Sequence, residues 1–470
     1  NTITSSIGAD VITVGDGANT ISAASGLNTI TAGNGGNTIT TTGDKDIISV
    51  GTGNDVIDAG GGNNTITATD GDNTITATGG ADDVTTGAGN DDIDVGSGAN
   101  TVDAGEGNNI IVSGAADDTI TAGDGNNTID AGADDDIITV GNGDNSIIAG
   151  DVADVIVAGT GSNSIDAGNG NDQITVTGTT GTNTIDGGAG NDVIVAGATD
   201  DVIIDGTGND TITAGDGANT ITVGDGQDTL TAGSGDDYVI VLDDGDNNDD
   251  LDAGTGNDWI DFSNITGGGV TVNLETGAVS DNGGTNVGTD TISGFDNVIG
   301  TAGDDTITAS STAIGDATFD GGSAGTDYVS YEHQTGDIVV DLSGGTDTVV
   351  KSGDGYTDTL ISIEGVTGGA GDDQFTGDTA ANTFTGNAGD DTFTAGAGDD
   401  VLTGGDDSDT FYGEAGSDTM DGGTGGTDDD FLDYSADTDG IVLNLGDTNS
   451  GTATGTSIGT DAISNFERIT

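Results

Sequence analysis

Residues 122–130 read AGDGNNTID, a Gly-rich half followed by a short β-branched half, and this unit decides the fold. Aligned on its Ile, nineteen such nonapeptides follow one another without a gap from Ser5 to Thr175. After two inserted residues, Val176 and Thr177, seven more run from Gly178 to Ile240. The eighth position is Ile in 22 of these 26 units and Val84, Val102, Leu230 or Val239 in the rest, while the sixth is Asp or Asn in all 26. A period of nine fits neither a 3.6-residue helical repeat nor a long strand. It fits a short strand followed by a tight turn, with two units making one 18-residue coil. Alternation along the strand points positions 8 and 1 inward and positions 7 and 9 outward. Position 1 is mostly Ala or Val (Val14, Ala32, Val50, Ala104, Val140), so ranks of Ile and Ala/Val should make the first block partly self-supporting through burial.

Composition narrows the function. The 470 residues carry 84 Asp plus Glu against three Lys plus Arg, a formal charge of -81, which excludes a nucleic-acid binder. Six of the acids are Glu; the rest are Asp, the short acid suited to turns and to cages for hard cations. Gly contributes 91 residues and Pro none, and the 31% hydrophobic content with sixteen aromatics is too little for several ordinary cores. Regular Ile and Val spacing argues against a disordered acidic chain and for a repeat architecture. Without Cys there is no disulfide framework or thiolate metal site. No apolar run approaches membrane-spanning length. The opening NTIT is the tail of a motif, so the chain reads as a piece of a longer protein.

The repeat resembles the RTX, or hemolysin-type, calcium-binding nonapeptide Gly-Gly-x-Gly-x-Asp-x-U-x. Gly187 to Val195 (GGAGNDVIV) matches at every fixed position, as does Gly368 to Thr376 (GGAGDDQFT), which opens six tandem units ending at Asp421. The resemblance implies an all-β fold, a parallel β-roll or β-helix solenoid. It also implies Ca²⁺ held by the sixth-position Asp and turn carbonyls. The candidate metal ligands are Asp192, Asp210, Asp228, Asp258, Asp305, Asp373, Asp391, Asp400, Asp409 and Asp418, with the adjacent Asp372, Asp390 and Asp399. Some of these are expected to be solvated turn acids, and Asp407, standing at a Gly position, is expected to distort its turn.

The two edges of the first block differ. On one edge position 6 is mostly Asn (Asn19, Asn37, Asn73, Asn109, Asn127, Asn145, Asn163); on the other it is mostly Asp (Asp10, Asp46, Asp82, Asp118, Asp136, Asp154, Asp172). An Asn rank can stack as an amide ladder, whereas an Asp rank repels itself unless a cation intervenes. Fewer calcium ions are therefore expected here than in a full β-roll.

All Phe, Tyr and Trp lie at or after Tyr238. Three related segments, WIDFS (259–263), YVSYE (328–332) and FLDYS (431–435), each lead into a half-buried strand, GVTVNL (269–274), DIVVDL (337–342) or GIVLNL (440–445). The expected organisation is a solenoid over 1–240, two linking modules with short calcium-type turns over 241–367, a tandem β-roll over 368–430, and a third linking module over 431–470. These segments resemble the linkers between RTX arrays in large bacterial surface and secreted proteins.

Catalysis is not expected. His333 is the only histidine, so zinc chemistry and a serine triad both lack residues. Trp259 reads as a module core residue, and Lys45 and Lys351 are too few for a basic patch. The expected role is a structural calcium-binding extracellular protein, part of a bacterial surface layer, filament or adhesin stalk. It would be exported by a type I route, self-associate or join further repeats, and need neither nucleic acid nor a membrane span. Two alternatives stand beside it: the secretion and folding block of an RTX enzyme or toxin, and a ligand- or ice-binding solenoid using outward threonines (Thr20, Thr29, Thr38, Thr65, Thr74).

Overall fold

The computed structural model describes all residues except 243–246, 283–287, 313–314, 353–354, 427–428, 438–439 and 446–449. Parts of the segments expected at 241–367, 368–430 and 431–470 therefore lie outside the described residues. Every regular element among those described is a β-strand, and two compact units result: residues 1–238 with 252–256, and residues 239–251 with 257–470.

In the first unit strands pair in parallel with the strand one coil on, eighteen residues away except across one insertion. Thr20–Ser22 lies beside Thr38–Thr40, and Val11–Val14 beside Thr29–Ala32, with Ile21 opposite Ile39 and Ile12 opposite Ile30. Consecutive strands alternate between two facing sheets, so the 18-residue coil follows from the sequence period. The burial pattern of Thr119–Ala122 (TITA) alternates exposed, buried, exposed, buried. Ile30, Ile120, Ile138 and Ile156 are fully buried, and so are Ala59, Ala104 and Ala131. Each such Ile stabilises by about 1.5–3 kcal/mol relative to exposure.

The register moves the insertion. Val176 pairs with Ala158 and is 2% exposed, so it takes a first-position place in the core. The two extra residues instead widen the turn after it, because Ser164 pairs with Thr184 twenty residues on. Burial of an apolar Val outweighs the alternative of leaving it in a turn.

Turns are packed backbone on backbone. A Cβ on Gly208 would collide with the carbonyl oxygen of Gly190. At several non-Gly residues the fourth position keeps a left-handed backbone: φ is 90° at Asp44, 89° at Ala116, 75° at Asp134 and 77° at Val152. Asp407, with φ of 79°, holds the same conformation as the Gly it replaces. Its turn is not distorted, because Asp tolerates this region better than most residues.

In the second unit the three linking segments are excursions of single coils. Gly269–Asn273 pairs antiparallel with Ala278–Asn282 and parallel with Thr306–Thr308 of a later coil. Ile338–Asp341 pairs antiparallel with Asp347–Lys351 and parallel with Gln374–Thr376. Val442–Leu445 pairs antiparallel with Ser450–Gly455 and is exposed throughout rather than half-buried, having no parallel partner among the described residues. The aromatic residues of these segments divide. Phe262, Tyr331 and Tyr434 are buried, whereas Trp259 is only half-buried, since it occupies the outward place beside the buried Ile260. In the tandem block Phe replaces Ile in the core rank, and Phe375, Phe393 and Phe411 stack at centroid separations of 5.0 and 4.7 Å.

Candidate functional site

Because alternation makes position 8 inward, position 6 is inward too, and this places the acids inside the coil rather than on its rim. Asp192, Asp210, Asp228, Asp258, Asp305, Asp373, Asp391, Asp400, Asp409 and Asp418 are each at most 1% exposed. None is a solvated turn acid. Asp372, Asp390 and Asp399 are exposed and belong to separate outer ranks: on one edge Asp372 Oδ1 accepts from Asp390 N–H and Asp390 Oδ1 from Ser408 N–H, and on the other Asp399 Oδ1 accepts from Ser417 N–H.

The inner residues form columns along each edge. Where the column is Asn, it satisfies itself. Asn127 Nδ2 donates to Asn145 Oδ1 at 3.0 Å and to the turn carbonyls of Gly123 and Gly125 at 3.2 and 3.1 Å, and Asn127 N–H donates to the same Asn145 Oδ1. The ladder continues through Asn145, Asn163 and Asn183. On the opposite edge of the same coils the column is acid without interruption: Asp118, Asp136, Asp154, Asp172, Asp192, Asp210 and Asp228. Each N–H donates to Oδ1 of the next, at 2.6–2.8 Å. Elsewhere Asp and Asn alternate, as in Asn28, Asp46, Asn64, Asp82 and Asn100.

Comparing the two columns locates a cation. The Asn amide nitrogen sits among three oxygens, two from turn carbonyls and one from the next side chain. An aspartate puts Oδ2 where that nitrogen would be, so acceptors face acceptors. The Oδ2 atoms of Asp118, Asp136, Asp154, Asp172, Asp192, Asp210, Asp391, Asp400, Asp409 and Asp418 are buried without a hydrogen bond. Orphaned buried carboxylate oxygens are costly, and an all-oxygen surround suits a hard divalent cation such as Ca²⁺. The residues present fit that ion.

Burial pushes these carboxyls up, and for all of the following but Asp210 neighbouring acids add to it. Asp136 and Asp154 reach about 7, Asp172, Asp192 and Asp210 about 6, and Asp391 about 8. Asp305 and Asp373 differ. Both oxygens of Asp305 accept, from Val270 N–H and from Thr301 N–H and Oγ1. Those of Asp373 accept from Ile338 and Gly369 N–H. Their donors already do part of a cation's work.

Several inner acids carry no candidate status in the sequence reading. The linking segments extend the columns, with Asp418 N–H donating to Asp461 Oδ1 and Asp409 N–H to Asp430 Oδ1. The recurring Thr-Asp of TDTIS, TDTLI and TDAIS marks Asp290, Asp358 and Asp461, and is the signal for this extension. Tyr331 and Tyr434 donate from their hydroxyls to Asp358 and Asp461. Lys351, far from being a surface charge, is 5% exposed and pairs with Asp358 at 3.1 Å. Asp205 is a second omission: it is fully buried at a first position, and burial with Asp228 and Asp210 nearby pushes it to about 8. His333 is 41% exposed beside Glu332. The outward threonines divide between opposite sheets, Thr20, Thr38 and Thr74 on one and Thr29 and Thr65 on the other, so they form no single array.

The profile of the RTX calcium-binding nonapeptide repeat, in four copies, matches in overlapping windows from residues 4–39 to 204–239, again at 288–311, and at 367–402 and 394–426, more than half of the chain. A comparison with curated proteins gave no match.

Proposed function

We propose, from the premise that the chain belongs to the family of RTX calcium-binding nonapeptide repeats, that it is a structural, calcium-stabilised extracellular solenoid. Its role is a length of a bacterial surface layer, surface filament or adhesin stalk. The observation that supports this best is the acid column of Asp118 to Asp228, whose Oδ2 atoms from Asp118 to Asp210 lie buried and without hydrogen bonds. A column of that kind is self-repelling without cations and coherent with them. Folding would then follow calcium concentration, low inside a cell and near millimolar outside it. The charge of -81 would keep the metal-free chain expanded during export. A structural rather than catalytic role fits a chain given over to repeats.

A calcium titration of chelator-stripped protein, followed by circular dichroism with the bound ions counted, tests the calcium part. Gain of β-structure with many ions bound is expected, and a fold indifferent to calcium would refute it. Sedimentation and electron microscopy with and without calcium test the assembly part, which fails if the protein is a compact monomer in both.

A further inference from the structure

The first motif position is a core place, and among the 26 units of the first block only Asp205 puts a charge there. Three polar residues at this position are buried and satisfied in one way. Thr41, Thr86 and Ser113 each donate a hydroxyl proton to the carbonyl of the first-position residue one coil on, Ala59, Ala104 and Ala131, at 2.8–2.9 Å. An ionised carboxylate has no proton to give. Asp205 instead accepts with Oδ1 from Gly206 and Gly224 N–H at 2.7 and 2.8 Å, which fixes its plane. Its Oδ2 is buried without a hydrogen-bond partner, and Asp205 is 0% exposed.

Position 1 also lies against the sixth residue of its own turn: a Cβ on Gly386 would collide with Asp391 Oδ2, and one on Gly404 with Asp409 Oδ2. Asp205 therefore adds a carboxylate beside the column acid Asp210, whose Oδ2 is likewise buried and without a hydrogen bond. One carboxylate oxygen from each of Asp205, Asp210 and Asp228 lies within 4.8 Å of the others. That spread fits inside a Ca²⁺ shell, whose oxygens sit about 2.3–2.6 Å from the ion.

We infer that Asp205, Asp210 and Asp228 together hold one calcium ion inside the coil, at a site with a third carboxylate that the turn motif does not supply. This rests on the reading that sixth-position acids bind calcium, and adds to it a ligand from the core rank. More ligand charge in a rigid cage raises affinity, so this is the tightest site of the first unit. Nitrogen and sulfur donors are absent from the cluster, which disfavours zinc.

The test uses the whole chain, with calcium alone as the probe, in Asp205→Ala and Asp205→Asn; Ala is the common residue of this rank, and Asn keeps the shape. The expected result is that the tightest class of sites loses one ion or weakens at least tenfold in both variants, while the remaining ions are retained. In chelator, Asp205→Ala should melt above the parent protein, because a buried carboxylate has gone; in calcium its stabilisation should be smaller than the parent's. Calcium binding with unchanged stoichiometry and affinity in both variants overturns the site and leaves the sixth-position reading intact. A lower melting point in chelator assigns Asp205 to holding the Gly206 and Gly224 N–H groups and also overturns it. Absence of calcium binding in parent and variants alike overturns both readings.

Discussion

Asp154 stands in the middle of the acid column, and replacing it with Asn converts one rung to the form the opposite edge uses. Its Oδ1 accepts from Asp136 N–H and its own N–H donates to Asp172 Oδ1, both at 2.7 Å. Asn keeps both bonds. Its Nδ2 also gains acceptors, because Asn28 and Asn73 already donate to the Asp46 and Asp91 Oδ1 atoms one coil on, at 2.9 Å each. Burial raises Asp154 from 3.8 to about 7. At 1.36 kcal/mol per unit this places a ceiling of about 4 kcal/mol on the cost of ionising it in the fold at pH 8. Solvent near the turn and sharing of charge along the column reduce that to about 2 kcal/mol. Asp154→Asn should therefore stabilise the chelated protein by about 2 kcal/mol. For a cooperative unit of this size that is an upward shift of about 4–8 °C in Tm. In saturating calcium the sign reverses, because a ligand has been lost. The assay is thermal unfolding by circular dichroism at pH 8, with chelator and with calcium. A chelated Tm below the parent's would refute the acceptor-against-acceptor argument.

The same carboxyls predict a pH dependence. Their folded pKa values lie above the unfolded value near 3.9, so metal-free stability is fully present below that pH and is lost as pH rises through about 6 to 8. Chelated protein should melt higher at pH 5 than at pH 8, whereas calcium-loaded protein should not, since the ligands must be deprotonated; melting curves across that range decide it. Val152, β-branched and exposed with φ of 77°, is strained, and Val152→Gly should stabilise by about 1 kcal/mol in denaturant unfolding. Lys351→Met leaves Asp358 buried without its cation and should cost about 3 kcal/mol, with much of the loss recovered in the Lys351→Met, Asp358→Asn double variant. Phe393→Ala, in the middle of the Phe375 to Phe411 stack, should cost about 3–5 kcal/mol and lower the denaturant midpoint of the second unit.

The nine-residue period, the 18-residue coil, the inward ranks at positions 8 and 1 and the Asn and Asp edges were legible in the amino-acid order, because each is a local consequence of side-chain alternation and turn chemistry. Asp192 and Asp391 were legible as ligand candidates for the same reason: each sits at a fixed place in a nine-residue motif. The structure had to decide what depends on closing the coil. Closure brings residues eighteen or twenty apart to one coil spacing, stacks the sixth positions into columns, and makes Asn127 self-sufficient while Asp154 is not. It also drew Val176 into the core, where burial outweighs motif register. It set Asp205, a first-position residue, against the sixth-position acids of its own turn and of the next coil, Asp210 and Asp228. A sequence pattern specifies which way a side chain points from its own strand; which other charges it then faces is settled only when the coils stack.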